Sequence, residues 1–492
     1  MVVILIALSG SVTAGEGVCL NDAGRISCVD RALPHVAQKA VVLEFIDPSN
    51  TGYGEAASRL MWRETLTAIR NMRGRGVLLA TRSGDTAPQR ENWDELLREF
   101  GMDPVQILQG SFHPGALRLG KALDGQMVAW GGVVKSDTRV ALHSFLSVIP
   151  EVWKPILEIK VPLASDPTAP ALARLPVEID RLAFAPVIAE PDVLFGSPVS
   201  ARCNLDAGCP NGVPIKSAPE EQARLPTGPV EGTPLKIIGA RGKWLNVELP
   251  AGERVWMNFY HAEFGPIAVT IPPDRPVMLR NAPGTLQGGQ LQTQGPHRVE
   301  SVRRTSGVLW YQISSEHRSG WVKEDEVEPV HRLPAVHFLA GLYRYGAAQY
   351  PRAEREFRAF LHGETSRGDP VTHAMALQLI ALSRLKQDVK PPGASPEEAL
   401  SEALKLTPFN PTLYSMRAAI RLTEEPKSLP AALNDVTHAL SLYPDHPAAR
   451  AFAGSLAASA ERRPQALRAD GIDPTAILEA AEAFPPPGSL PR

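Results

Sequence analysis

Four cysteines fall into two close pairs, Cys19 with Cys28 and Cys203 with Cys209, each set among Asn, Asp or Gly of the kind found in loops. Neither pair has the Cys-x(2 to 4)-Cys spacing that a zinc site needs, so the chemistry they suit is local disulfide formation in an oxidising compartment. Twelve histidines are scattered along the chain, each reading as a solvated or loop residue and not a ligand, so no metal site is expected. Glu44 and Asp47 flank one predicted strand, where a carboxylate dyad would suit general acid–base work, but strand-end carboxylates are solvated as a rule. A nucleophile turn Gly-x-Ser-x-Gly, a His-Glu-x-x-His helix, a phosphate loop and a Gly-x-Gly-x-x-Gly fingerprint are all missing from the sequence. No catalytic residue and no cofactor is therefore assigned.

The elements that would carry these residues change character along the chain. Residues 1–14 read as a short apolar run followed by small residues ending at Ala14, a secretory signal peptide without a preceding Lys or Arg. Residues 15–37 form a Cys-containing segment. Ala40 to Ile46 reads as a strand, Tyr53 to Met72 as a helix, Val77 to Ala80 as a strand, Trp93 to Phe100 as a helix, and Gln126 to Leu146 as a hairpin turning about residues 135–138. This alternation predicts an α/β or α+β layer over 38–192, with a Pro- and Ala-rich, strand-poor connection from about 164 lying against it. From 193 to 330 the texture is short β-prone runs broken by Gly, Pro and Asn, which predicts small barrels. After 331 helices dominate to about 463, and the tail 464–492 reads as a capping helix and a Pro-rich end.

The 492 residues suffice for several cores, and the excess of turn formers, 46 Pro and 39 Gly, fits many connections. Fifty-one basic against 53 acidic side chains leave a net charge of −2, and residues 332–492 hold 18 against 17. Such a balance supplies no field for recruiting a polyanion, which argues against nucleic acid. Beyond the N-terminus no apolar run reaches the length of a membrane span, so none is expected in the mature chain.

Three resemblances sharpen this layout. The strand Val42-Leu43-Glu44-Phe45 and the run Leu119-Gly120 through Leu123-Asp124-Gly125 to Trp130-Gly131-Gly132-Val133 make residues 38–190 similar to the amino-terminal domain of TolB and the related CsgG, LpoB and FlgT envelope proteins. That resemblance implies docking rather than catalysis. Arg280-x-x-Pro283-Gly284, then Trp310-x-x-Ile313, then Gly320-Trp321-Val322 resemble the early turn, central strand and terminal strand of bacterial SH3-type (SH3b) domains, placed here at 267–330. A divergent copy at 193–266 keeps Trp244-x-x-Val247 and Val255-Trp256, with Gly232 to Ile238 set against Val277 to Gly284 and no recognisable early turn. Small barrels present rigid amphipathic Trp and Tyr edges to a sugar-peptide or an extended chain, so Trp321, Tyr311, Trp310 and Trp256 are the binding candidates. Trp310 and Tyr311 point to opposite faces of one strand, and Tyr311 is preferred if Trp310 is core, the role also expected of Trp244.

In the helical half, Ala399 and Pro411 recur 33 residues later as Ala432 and Pro444, with Ala439 and Gly454 at further positions and Gly341, Ala353 and Phe357 in an earlier unit. This resembles tetratricopeptide (TPR) repeats, in which small residues sit where two helices touch and Pro closes the second helix. Such stacks leave an extended surface for a protein partner. The combined expectation is a multidomain, non-enzymatic periplasmic adaptor that binds peptidoglycan or an envelope protein through the barrels and a protein partner through the repeats. A regulatory subunit of a wall-synthesis, flagellar or secretion machine with purely protein ligands, and a wall hydrolase with an unfamiliar site in 38–192, are the alternatives.

Overall fold

The structure is a computed structural model that describes residues 38–49, 51–69, 72, 75–80, 104–150, 156–159, 173–176, 179, 181–195, 198–203, 208–220, 222–241, 244–258, 261–272, 276–285, 288–291, 295–305, 308–315, 318–363, 368–387, 395–424, 428–469 and 473–482. The signal peptide, Cys19, Cys28, the helix expected at 93–100 and the final Pro-rich tail lie outside the described residues. The chain divides into two compact units, one of residues 1–147 and 186–336, the other of 148–185 and 337–492.

The first unit opens with β1 (Gln38–Leu43), α1 (Tyr53–Ile69) and β2 (Arg75–Ala80), in which the two strands pair in parallel from Gln38 opposite Arg75 to Leu43 opposite Ala80. Parallel neighbours need a crossover, and α1 supplies it. Short helices α2 (Pro104–Leu108) and α3 (His113–Ala122) lead into β3 (Met127–Ser136), which pairs in parallel with the other side of β1, and β4 (Arg139–Val148) follows a two-residue turn. Ala40, Val41, Val42 and Leu43 are fully buried, as expected of a central strand covered on both faces. Polar side chains tie the layers together. The Phe45 N–H donates to Ser58 Oγ at 2.7 Å and Trp62 Nε1 donates to the Val77 carbonyl at 2.9 Å.

Three short strands, β5 (Ile156–Ile159), β6 (Ala173–Pro176) and β7 (Arg181–Ala183), belong to the second unit. The first resumes with β8 (Val187–Ala189), which pairs antiparallel with β4, and α4 (Pro191–Phe195). The stretch read as a strand-poor connection lying against the first domain thus carries β6, β7 and β8, of which β8 pairs with β4 of that domain. Pro176 ends its strand, a position where the missing N–H costs no ladder bond.

Two curled antiparallel sheets, half-barrels, complete the first unit. The first is built from β9 (Val199–Ala201), β10 (Pro234–Arg241), β11 (Trp244–Glu248), β12 (Arg254–Asn258) and β13 (Ala262–Phe264), ordered β12-β11-β10-β9-β13. The second contains β14 (Ala268–Thr270), β15 (Val277–Arg280), β16 (Gly288–Leu291), β17 (His297–Thr305), β18 (Val308–Ser315), β19 (Arg318–Lys323) and β20 (Glu328–Val330), ordered β16-β15-β19-β18-β17-β14-β20. The alternating residues Leu309, Tyr311 and Ile313 point into its core with Val277, Leu279, Val299, Val302 and Val322.

The second unit is helical: α5 (Pro334–Gly346), α6 (Tyr350–Gly363), α7 (Pro370–Leu385), α8 (Pro396–Leu406), α9 (Pro411–Glu424), α10 (Leu429–Leu442), α11 (Pro447–Arg462), α12 (Pro464–Ala469) and α13 (Pro474–Glu482). From α6 to α11 each helix packs on the next. Ala353, Phe357, Ala399, Ala432 and Ala439 are buried at these contacts, and a Cβ on Gly341 would stand 2.5 Å from the Phe357 ring, so only glycine lets α5 and α6 close. Gly454 has nothing near its missing side chain and does no packing.

The prolines take other roles than the 33-residue period assigned. Pro411 opens α9 and Pro444 follows α10, so they are not equivalent. The matching pairs are Pro408 with Pro444, Pro411 with Pro447 and Ala403 with Ala439, each 36 residues apart. Caps repeat with them: Asn410 Oδ1 accepts from the Thr412 N–H at 3.0 Å, and His446 Nδ1 accepts from the Ala449 N–H at 3.1 Å. A row of alternate helices, α5, α7, α9 and α11, does not face open space along its whole length. Phe184 packs on Phe338 of α5, the Ala183 N–H donates to Thr372 Oγ1 of α7 at 3.0 Å, β5 lies on α9 and β6 on α11.

Candidate functional site: a repeated aromatic row

The two half-barrels share more than two tryptophans. In the second, register runs Arg280 opposite Trp321, Trp321 opposite Gln312 and Gln312 opposite Ser301. In the first, it runs Lys216 opposite Trp256, Trp256 opposite Asn246 and Asn246 opposite Gly239. Both rows cross the sheet as cation, tryptophan, amide and small residue. Each also carries a β-bulge at the same place, between Ile237 and Gly239 in one and between Val299 and Ser301 in the other.

A buried tryptophan underlies each row. Trp244 and Trp310 are 2% and 3% exposed, yet they sit two residues from Asn246 and Gln312 and so on the row's face, opposite the apolar core. Cations cover them instead. Lys216 Nζ lies 5.5 Å from the Trp244 ring centre, while Trp310 has Arg280 Cζ at 5.2 Å and Lys323 Nζ at 5.6 Å.

In the second sheet the covering cation is clamped. Arg280 donates through Nη1 and Nη2 to the two oxygens of Glu326, both at 2.6 Å, and the Lys323 N–H reaches the same carboxylate at 3.3 Å. Burial works to raise the Glu326 pKa, and the Arg280 fork with the Lys323 donor outweighs it, holding the carboxyl below its ordinary value. The hydrogen bonds to Glu326 raise the Arg280 pKa in turn. Gly320 makes this approach possible, since a Cβ there would stand 2.6 Å from Leu279 and 2.9 Å from the Arg280 carbonyl.

The four aromatic candidates therefore separate. Trp256 and Trp321 are half-buried, at equivalent positions, with an amide neighbour in register. Arg303 Cζ lies 5.7 Å over the Trp321 ring. Tyr311 is fully buried in the apolar core and cannot line a surface groove. Trp310 is buried as expected, beneath cations on the row's face, but Tyr311 on the opposite face is buried as well, so neither lines a surface groove.

The early turn that the first copy was expected to lack is present. Val213-Pro-Ile-Lys-Ser-Ala-Pro219 stands 64 residues before Val277-Met-Leu-Arg-Asn-Ala-Pro283, with Val213, Ile215, Val277 and Leu279 all buried. Gly232 to Ile238 belongs instead with the strand at 297–305, since both β10 and β17 pair with the central strand of their sheet. The Cys203–Cys209 disulfide closes the loop between β9 and this turn.

Elsewhere in the first unit, His113 Nδ1 and Ser147 Oγ share a 2.8 Å hydrogen bond, a pair of types used in nucleophilic catalysis. Ser147 is fully buried and also accepts from Trp130 Nε1 at 2.9 Å, so this pair anchors β4 to β3 and α3. Asp47 accepts from Thr51 Oγ1 at 2.8 Å in the loop before α1. No family model, curated protein or solved structure matches the chain.

Proposed function

We propose that this protein is an exported, non-enzymatic binding protein of the bacterial cell envelope, whose two SH3-type sheets hold peptidoglycan through the paired Trp256 and Trp321 rows. The observation that carries the reading is the same cation, tryptophan, amide row built twice in register from different residues. A half-exposed indole stacks on the apolar face of a sugar or on an extended peptide, and the adjoining Asn246 or Gln312 amide can donate and accept hydrogen bonds beside it. Two weak contacts on one chain reinforce each other, because the second forms at high effective concentration. The Cys203–Cys209 disulfide supports an oxidising compartment, here the periplasm, and no helix among the described residues is long and apolar enough to cross a membrane.

The helical repeats, in this reading, recruit a protein partner. Their α7, α9 and α11 row carries the chain's own strands, which directs a partner to the repeat turns, where Phe409 is 80% and Tyr443 52% exposed. The test is co-sedimentation of the purified protein with peptidoglycan sacculi. Retention above a control protein is expected, and retention no greater than the control overturns the reading.

A further inference from the structure

The two sheets repeat one more residue beside the row of cation, tryptophan, amide and small residue. Arg303 stands opposite Trp310 in the second sheet, and Arg241 stands opposite Trp244 at the same register of the first. Each lies two residues beyond the small member of its row, Ser301 or Gly239, so both positions belong to the row face by strand alternation. Arg303 is exposed, and its Cζ lies 5.7 Å over the Trp321 ring. To reach that ring from β17 the side chain crosses β18, the strand that carries Gln312. Arg303, Gln312 and Trp321 are thereby gathered on one patch.

The acids of this sheet are engaged elsewhere. Glu326 and Asp325 act on Arg280, at the opposite end of the row, and Glu324 acts on Arg304. Arg304 is paired with Glu263, and Arg298 lies 3.5 Å from Glu300. Among the described residues no carboxylate stands within ion-pair range of Arg303, whose one side-chain interaction is with the indole. Glu231, exposed in the nearby turn, is outside that range too. The Arg303 end of the row therefore offers a positive fork beside an apolar ring, and a planar guanidinium matches a carboxylate in geometry as well as charge.

We infer that Arg303, and Arg241 at the same register, bind a carboxylate on the peptide part of peptidoglycan, with the Trp321 indole against the adjoining chain and the Gln312 amide beside it. The inference rests on the wall-binding reading above and narrows its ligand from sugar or peptide to peptide. In the polymer the acid of each lactyl group is tied up in an amide to the peptide, so the free carboxylates sit on the peptides. The test is co-sedimentation of the full chain, at one salt concentration, with native sacculi and with sacculi whose carboxylates have been converted to amides by carbodiimide and ammonia. Amidation should weaken retention of the unmodified protein at least about fivefold, the scale of one exposed ion pair. The Arg241→Gln, Arg303→Gln double variant should show that loss on native sacculi and bind native and amidated sacculi alike, with Arg303→Gln alone in between. Arg462→Gln, at an exposed position on α11, should behave as the unmodified protein on both. Peptides released by an amidase should compete with native sacculi, and the remaining glycan strands should not. Equal retention of the unmodified protein on native and amidated sacculi, a double variant that still distinguishes them, or competition by glycan strands alone would overturn the inference and leave wall binding standing. No retention on native sacculi would overturn both.

Discussion

The two half-barrels solve one problem with different chemistry. Each must hold a cation over a buried tryptophan so that the neighbouring strand places a second tryptophan at the surface. The second sheet uses Arg280, whose fork meets Glu326 in a two-point ion pair only 11% and 24% exposed. The first uses Lys216, a point charge that cannot fork, and a covalent bond, Cys203–Cys209, shortens the chain leading to it. One copy carries a two-point ion pair at its cation, and the other a disulfide earlier in the chain than its cation. The row is the shared feature, and the ion pair and the disulfide are not.

That contrast breaks first at Glu326. Glu326→Ala removes the paired carboxylate from Arg280, leaving it the charge of Asp325 and the Met278 carbonyl, and should cost the second sheet about 2 kcal/mol, read as lost hydrogen-exchange protection in β18 and β19 with β11 and β12 unchanged. The same pair sets the acid response. Because the folded Glu326 pKa is depressed, its contribution is complete above the ordinary carboxyl pKa and disappears as pH falls through the lower folded value. Glu326→Gln should remove that acid step from the second sheet. Replacing Cys203 and Cys209 by Ser should cost the first sheet about 2 kcal/mol and leave the second untouched. Smallest is Lys216→Ala, about 1 kcal/mol for the lost cation–π contact, confined to β11 and β12. An equal response of both sheets to any of these changes would contradict this contrast.

Much of this architecture is legible in the residue pattern. The apolar run at 40–43, the hairpin about residues 137–138 and the switch from short strands to helices after 331 follow from periodicity and turn chemistry. The repeat itself is legible, but its register is set by 213–219 and not by 232–238. Val213-Pro-Ile-Lys-Ser-Ala-Pro219 matches Val277-Met-Leu-Arg-Asn-Ala-Pro283 without a gap, but Lys216 in place of Arg removes the Arg-x-x-Pro pattern that marks the turn. The burial of Trp310 beneath Arg280 and Lys323 was not legible, because alternation assigns faces and says nothing of which face long cationic side chains will roof. Nor was the placement of β5–β7 along α7, α9 and α11. Pro-rich composition reads as linker, whereas β5 and β6 pair with each other and β7 bonds to a helix residue 189 positions further along the chain.

The central claim, that Trp256 and Trp321 form two copies of one binding surface, is tested most directly by sacculus co-sedimentation of the unmodified protein, Trp256→Ala, Trp321→Ala and the double variant, with folding checked by hydrogen exchange. The expected result is about a tenfold loss of affinity for each single change, the scale of one lost aromatic contact of about 1.4 kcal/mol, and loss of retention in the double variant. A double variant that folds and still sediments like the unmodified protein would contradict it.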